Sequence, residues 1–245
     1  MLSDFNCEIL NIEKYITNFS DQRQFTDVEW EKKFIEDIEL LGSLGFHNLV
    51  YQIPFDPDAD ILYYTNKRIK YIEHQLKSAT SRKLSAKFKM IAVPVVYLTD
   101  ETPFLKRLDK LILRSTNYIF LELPFGHFPD SLAVAINKIL YKRNLLPIFT
   151  NFHIYTSFYD NDVIQRLVNI KGAGYQFPLK LSVLSDNLHL IKQIIKNGGI
   201  VLLGSSCDHY NLNISEISKC LEMLQRRLGY NDYTELILRA KRLIK

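Results

Sequence analysis

Along the chain, short runs of β-branched and aromatic residues alternate with longer amphipathic stretches. The short runs are Phe5–Asn11, Asn48–Ile53, Phe88–Val96, Tyr118–Leu123, Leu146–Asn151, Gly174–Phe177 and Ile200–Gly204, each suited to a strand. Between them, apolar residues recur at helical spacing over Val28–Leu44, Ile61–Ser78, Ser131–Arg143, Asp162–Lys171 and Ser185–Asn197. Two further helices are expected at Ile214–Leu228 and Tyr233–Ile244. Asp162 and Ser185 read as N-terminal caps, and Gly172, Gly198 and Gly229 stand where helices should stop.

Strand followed by helix, repeated about seven times, implies parallel strands joined by right-handed crossovers. No Pro/Gly/Ser-rich linker divides the chain, so residues 1–245 read as a single domain. An open doubly wound sheet would also satisfy the alternation. A nucleotide role would then call for a Gly-rich phosphate turn, and neither GxGxxG nor GxxxxGK occurs. The favoured architecture is an α/β fold, a distorted TIM-like (βα)7 barrel, closed or nearly so. In such a barrel, chemistry sits where strands end and their loops begin.

Composition adds exclusions. Of 245 residues, 47% are hydrophobic and 24% charged, which argues against a disordered or low-complexity chain. No apolar run is long enough to span a membrane, and the N-terminus lacks the pattern of a cleaved signal. Three cysteines (Cys7, Cys207 and Cys220) form neither a disulfide framework nor a zinc-finger spacing. Reduced thiols in a cytoplasmic protein are the expectation. The net charge of +4 is too weak to imply a polyanion partner. Lys67, Arg68, Lys70, Lys77, Arg82, Lys83, Lys87 and Lys89 do cluster, with Tyr63, Tyr64, Tyr71 and Phe88 interleaved, as on a nucleic-acid surface. The helical recurrence of Ile61, Tyr64, Arg68, Ile72 and Leu76 instead makes most of these charges one solvated helix face.

The strand ends carry the more specific signal. They read Asp4-Phe5-Asn6-Cys7-Glu8, Ile53-Pro54-Phe55, Val95-Val96-Tyr97, Leu121-Glu122-Leu123-Pro124, Thr150-Asn151-Phe152-His153-Ile154-Tyr155 and Ser205-Ser206-Cys207-Asp208-His209. With Leu44-Gly45-Phe46 and the ordered elements of Tyr118–Gly204, they resemble the polymerase-and-histidinol-phosphatase (PHP) family, in particular its capsule-type tyrosine phosphatases. That resemblance implies a PHP-type barrel with divalent metals, commonly manganese, held at the strand ends by histidines and carboxylates.

Set beside the family pattern, most of those ligands are absent. The opening Asp-x-His-x-His keeps Asp4 but has Asn6 and Glu8 in the histidine places. The His of Thr-Pro-His becomes Phe55, and the Glu of Gly-Ala-Glu becomes Val96. In Ala-His-Pro-Glu-Arg, Asn151 replaces the metal-binding His and Ile154 the phosphate-binding Arg. The closing Ser-Asp-x-His becomes Ser205-Ser206-Cys207-Asp208, and the family's Asp-Asp-Gly has no counterpart in Asn18–Asp27. Glu122 alone stands where a family metal ligand stood. Phe and Val donate no lone pair, and losing the Arg removes a bidentate phosphate contact.

The expectation is therefore a catalytically degenerate phosphatase-like protein with no cofactor, acting by binding. By the resemblance, its partner is the tyrosine-rich tail of a polysaccharide-synthesis kinase or another component of that system. Two alternatives stay open: a working manganese-dependent tyrosine phosphatase with an altered ligand set, and a nucleic-acid-binding module using the Lys67–Lys89 face. Glu8, Glu122, His153, Asp208 and His209 could converge at the barrel mouth, either as a simpler metal site or in hydrogen bonds among themselves and to backbone. Cys7 and Cys207 would be neighbours in a closed barrel, as a reactive pair or as buried thiols. His127 reads as an exposed loop histidine.

Overall fold

The computed structural model describes residues 2–5, 27–58, 60–61, 67, 69–70, 73–74, 87–205 and 213–244. Seven parallel strands follow one another in chain order: β1 (Leu2–Asp4), β2 (Phe46–Pro54), β3 (Lys89–Tyr97), β4 (Tyr118–Glu122), β5 (Leu146–Phe149), β6 (Gly174–Pro178) and β7 (Ile200–Gly204). Helices surround them: α1 (Asp27–Ser43), α2 (Asp130–Arg143), α3 (Phe152–Tyr155), α4 (Asn161–Val168), α5 (Leu181–Asp186), α6 (Leu188–Lys196), α7 (Ile214–Leu228) and α8 (Tyr230–Arg242). This is the distorted (βα)7 TIM-like barrel that the alternation implies.

The two ends of the sheet meet at β1 and β7. There the Phe5 N–H donates to the Leu203 carbonyl at 2.9 Å, and the Ser205 N–H donates to Asp4 Oδ1 at 2.9 Å. Asp4 is fully buried at this seam. Strand parity then sorts the side chains into two layers. Phe5, Val50, Ile91, Val93, Val95, Phe120, Ile148, Ile200 and Leu202 fill the barrel interior. Strand residues of the opposite parity, such as Leu49, Leu121, Phe149, Tyr175 and Val201, pack with the helices in the outer layer. Gly174 pairs with Ile148, and a Cβ at Gly174 would lie 2.7 Å from Ile148 Cγ1, so the isoleucine occupies that share of the interior.

Two irregularities shape the cylinder. Pro94, which has no N–H, precedes the point at which β3 begins to pair with β4, at Val95 and Phe120. Below it the β3–β4 gap is filled by an antiparallel bridge of Ile112 with Ile119, and the Leu113 N–H donates to the Tyr118 carbonyl at 2.8 Å. At the far end, Ala240, Leu243 and Ile244 close the interior from below, and Lys89 Nζ donates to the Ile244 carbonyl at 2.9 Å.

Three expectations change. The first strand is Leu2–Asp4, with Phe5 already beyond it, rather than Phe5–Asn11; residues 6–11 lie outside the described residues. Its register is held by a polar pair, Asn48 Nδ2 donating to Ser3 Oγ at 3.0 Å, which an apolar pattern does not reveal. The helix expected at Ser185–Asn197 is two helices divided at Asn187, whose Nδ2 donates to the Val183 carbonyl at 2.9 Å. The one expected at Asp162–Lys171 runs from Asn161 to Val168, with Asp160 rather than Asp162 at its N-cap. Gly172, Gly198 and Gly229 all adopt the positive φ expected beyond helix ends. Most of the Ile61–Ser78 helix lies outside the described residues.

Removing the seam acceptor tests how much closure depends on it. Asp4→Ala leaves the buried Ser205 N–H without its partner and should lower unfolding stability by about 1–3 kcal/mol, with Asp4→Asn milder because an oxygen remains. Urea denaturation of both variants measures this. Phe120→Ala, which empties the middle of the interior, should cost about 3–5 kcal/mol in the same experiment.

Candidate functional site

The C-terminal ends of the parallel strands form one rim, where a barrel of this kind places its chemistry. The floor of that mouth is polar. Gln52 Nε2 donates to the Phe5 carbonyl at 2.7 Å and to Gln176 Oε1 at 2.8 Å, bracing β2 against β6 across the interior. Gln176 is buried, and its own Nε2 has no partner among the described residues.

Above this floor, on the β3–β5 side, stands Glu122, the last residue of β4. It is half-buried and in register with Tyr97 of β3, a residue 48% exposed. Burial pushes the Glu122 carboxyl above the usual carboxylate range. Its side chain has no hydrogen bond or ion pair among the described residues. The segment after it is clamped by two tyrosines, Tyr155 at the end of α3 and Tyr159 just beyond it. Tyr155 Oη accepts the Leu123 N–H at 3.0 Å, and Tyr159 Oη donates to the Pro124 carbonyl. The two rings stack with centroids 5.4 Å apart. Burial raises both phenols well above their ordinary value; the Glu122 charge adds to the effect at Tyr155, and Tyr155 and Tyr97 add to it at Tyr159. These phenols therefore remain protonated and serve as hydrogen-bonding struts.

The residues singled out in the sequence fall in different places. Asp4 is at the seam. Phe55 and Val96 are buried in the outer, helix-facing layer, and the Phe55 N–H donates to the Val95 carbonyl at 2.8 Å. On β3 the parity that turns Val93 and Val95 inward turns Val96 away and brings Tyr97 to the mouth. Asn151 has left-handed backbone (φ 47°) and starts α3, with its carbonyl accepting the Ile154 N–H at 3.0 Å. Ile154 is half-buried. Asn6, Cys7, Glu8, Ser206, Cys207, Asp208 and His209 lie outside the described residues. Of the expected polar cluster, Glu122 and His153 are described, and no hydrogen bond or ion pair joins them. His127 is exposed, as expected. Cys220 is a buried thiol, pushed up to about 11 by burial and then by the charge of Glu216, which makes it a poor nucleophile.

His153 belongs to a second feature, a groove of about 480 Å³ at the rim between α3–α4 and α5–α6. Thr156, Asn161, Gln165, Asn187 and His189 line it with His153. Burial, and secondarily the charge of Lys180, lowers the His153 pKa, and its buried Nδ1 has no partner among the described residues. The imidazole is thus neutral at neutral pH. Gln165 and Gln193 exchange amide hydrogen bonds between α4 and α6, tying the two helices that flank the groove. The tyrosine clamp and this groove escaped the sequence reading, although the Tyr155–Tyr159 spacing of one helical turn was visible.

A divalent metal does not fit the described residues. Among them no group of three or more His, Cys, Asp or Glu stands close enough to hold a metal ion. Asp4 commits Oδ1 to the seam, and Phe55 and Val96 offer no donor atom. Of the basic stretch, Lys67, Lys70 and Lys87 are exposed, while Lys89 is anchored on the Ile244 carbonyl. Among the described residues no helix is long and apolar enough to cross a membrane.

No family model and no curated protein matches the sequence. Solved structures do match. One is a chain from the crystal structures of YwqE from Bacillus subtilis and CpsB from Streptococcus pneumoniae, named there as unique metal-dependent tyrosine phosphatases. It aligns with 98% of this chain and 95% of its own length, at 15% identity and a TM-score of 0.66. A zinc-bound COG1816 amidohydrolase from Burkholderia ambifaria aligns with 99% of this chain and 85% of its own, at 8% identity and a TM-score of 0.49. The first of these likenesses establishes a shared fold, so the chain is built on the same distorted barrel as those tyrosine phosphatases.

Proposed function

We propose that the chain is a phosphatase-like binding protein, a PHP-type barrel whose mouth holds a protein segment without hydrolysing it. The observation that carries this reading is that the described residues gather no metal-binding group on a fold shared with metal-dependent tyrosine phosphatases. Metal-assisted phosphoryl transfer needs cations that polarise the phosphate, lower the pKa of a bound water and offset developing charge. Glu122, without further donors gathered around it among the described residues, does not supply that coordination sphere. The Tyr97 ring, with the exposed Phe125 and Phe158 beyond the clamp, instead provides aromatic surface for side chains of a bound segment. On this reading the protein acts in the cytoplasm as a regulatory component of polysaccharide synthesis. Its ligand is the tyrosine-rich tail of that system's kinase.

The test has two arms. Protein purified without chelator should release no phosphate from para-nitrophenyl phosphate or phosphotyrosine peptides with added manganese, and should bind a labelled tyrosine-rich tail peptide in a fluorescence anisotropy titration. Turnover that disappears in Glu122→Gln would instead establish a working phosphatase with an altered ligand set. EDTA should leave the melting temperature unchanged, because no bound metal contributes to stability. A fall of several degrees, restored by manganese or zinc, would reveal a metal site.

A further inference from the structure

The groove between α3–α4 and α5–α6 has walls that are locked to each other. Gln165 of α4 and Gln193 of α6 exchange amide hydrogen bonds. One turn further along both helices, Asn197 Nδ2 donates to Asn169 Oδ1 at 2.8 Å. The two pairs are rungs of one amide ladder. The groove runs along the N-terminal side of these rungs, past Asn161, Ile164 and Gln165 on α4 and Asn187, His189 and Leu190 opposite. A further tie comes from the end of α3. Thr156 Oγ1 donates to the His153 carbonyl at 2.7 Å and reaches Asn187 Oδ1 at 3.5 Å. A cavity held open in this way is preformed, so binding costs little ordering of its walls. Its volume, about 480 Å³, falls within the range of about 300–1,000 Å³ usual for small-molecule sites.

The lining selects a class of ligand. Among the described residues that line the groove there is no Lys or Arg, and Asp186, which is exposed, is the one carboxylate. An anion or a cation therefore finds little fixed charge to pair with. The groove offers instead uncharged groups that both donate and accept. Gln165 keeps one N–H and one lone pair beyond its bonds to Gln193, and Asn161 adds a second carboxamide one turn away. The neutral imidazole of His153 has one donor and one acceptor nitrogen. Vicinal hydroxyls, each donor and acceptor at once, match such groups. Ile164, Val183 and Leu190 add apolar surface among them. We propose that this groove binds a neutral polyhydroxylated ligand, a sugar or cyclic polyol, through Asn161, Gln165, His153 and His189, with Ile164, Val183 and Leu190 covering its C–H face. The site does not rest on the function proposed above, since Glu122 and Tyr97 take no part in it.

Glucose, galactose, N-acetylglucosamine and myo-inositol, each titrated into the labelled full chain, test this by backbone amide NMR. At least one should shift the signals of residues 153–165 and 183–190. It should bind at least about tenfold more tightly than cyclohexanol, which has a six-membered ring but a single hydroxyl. Asn161→Ala and His189→Ala, both at exposed positions, should each weaken that probe about three- to tenfold while leaving cyclohexanol unchanged. The methyl glycoside of a sugar that binds identifies the source: retained affinity assigns the end of a glycan chain, lost affinity a free sugar. No shift with any of the four at about 100 mM would overturn the proposal, as would equal affinity for cyclohexanol. Glucose 6-phosphate binding about tenfold more tightly than glucose would also overturn it, by marking an anion site. The wild-type comparison decides the matter even if a variant fails to fold.

Discussion

The barrel depends on its closure between the first and last strands. Seven strands in chain order form a continuous ladder only from β1 to β7. Among the described residues, the Phe5 N–H on the Leu203 carbonyl and the Ser205 N–H on Asp4 Oδ1 bridge the remaining gap. Without that junction the interior layer of Phe5, Val50, Phe120, Ile148 and Leu202 would open on one side, and the polar floor of the mouth would lose its geometry. Gln52 reaches both the Phe5 carbonyl and Gln176, so the brace across the mouth needs Phe5 held where the seam holds it.

The same junction decides what the mouth can do. Asp4, the one residue of the opening family-like motif retained at its place, is a structural acceptor here. The strand-end positions where donors would be sought, Phe55 and Val96, contribute to the outer core. Among the described residues, the rim carries Glu122 beside Tyr97 and the Tyr155–Tyr159 pair. Tyr155 and Tyr159 fix the backbone of residues 123–124 by hydroxyl bonds in a buried setting, where each such bond is protected from competition by water. The rim is therefore stiff around Glu122, which suits recognition of a fixed shape.

Much of the fold was legible because parallel strands buried on both faces read as short apolar runs, and β2 to β7 all do. The first strand was not, because Ser3 and Asp4 are polar and yet buried; their partners, Asn48 and the Ser205 N–H, are distant in sequence. The break at Asn187 was also hidden, since apolar spacing continues through α5 and α6 while the break lies in one side-chain amide. At the site, Glu122 was legible from its Leu-Glu-Leu-Pro setting. Val96 was read as a strand-end position of the mouth; parity turns it away, because Ile91, Val93 and Val95 occupy the inward positions of β3. Tyr97 and the Tyr155–Tyr159 pair were not recognised as a unit. Aromatic residues in a chain this rich in them look like core until a hydroxyl bond shows otherwise.

The short β1 has a consequence for the order in which the molecule assembles. Its tie to β7 joins residues 201 positions apart, and the interior is floored by Leu243 and Ile244. A chain emerging from the ribosome can pair β2 with β3, and each later strand with its predecessor, long before closure is possible. Such distant contacts come late and slow the overall rate. Through that interval the growing sheet carries open edges, which are templates for wrong pairing. A leading edge of three residues offers few backbone groups to a stray strand, so the element that must wait longest is also the least adhesive.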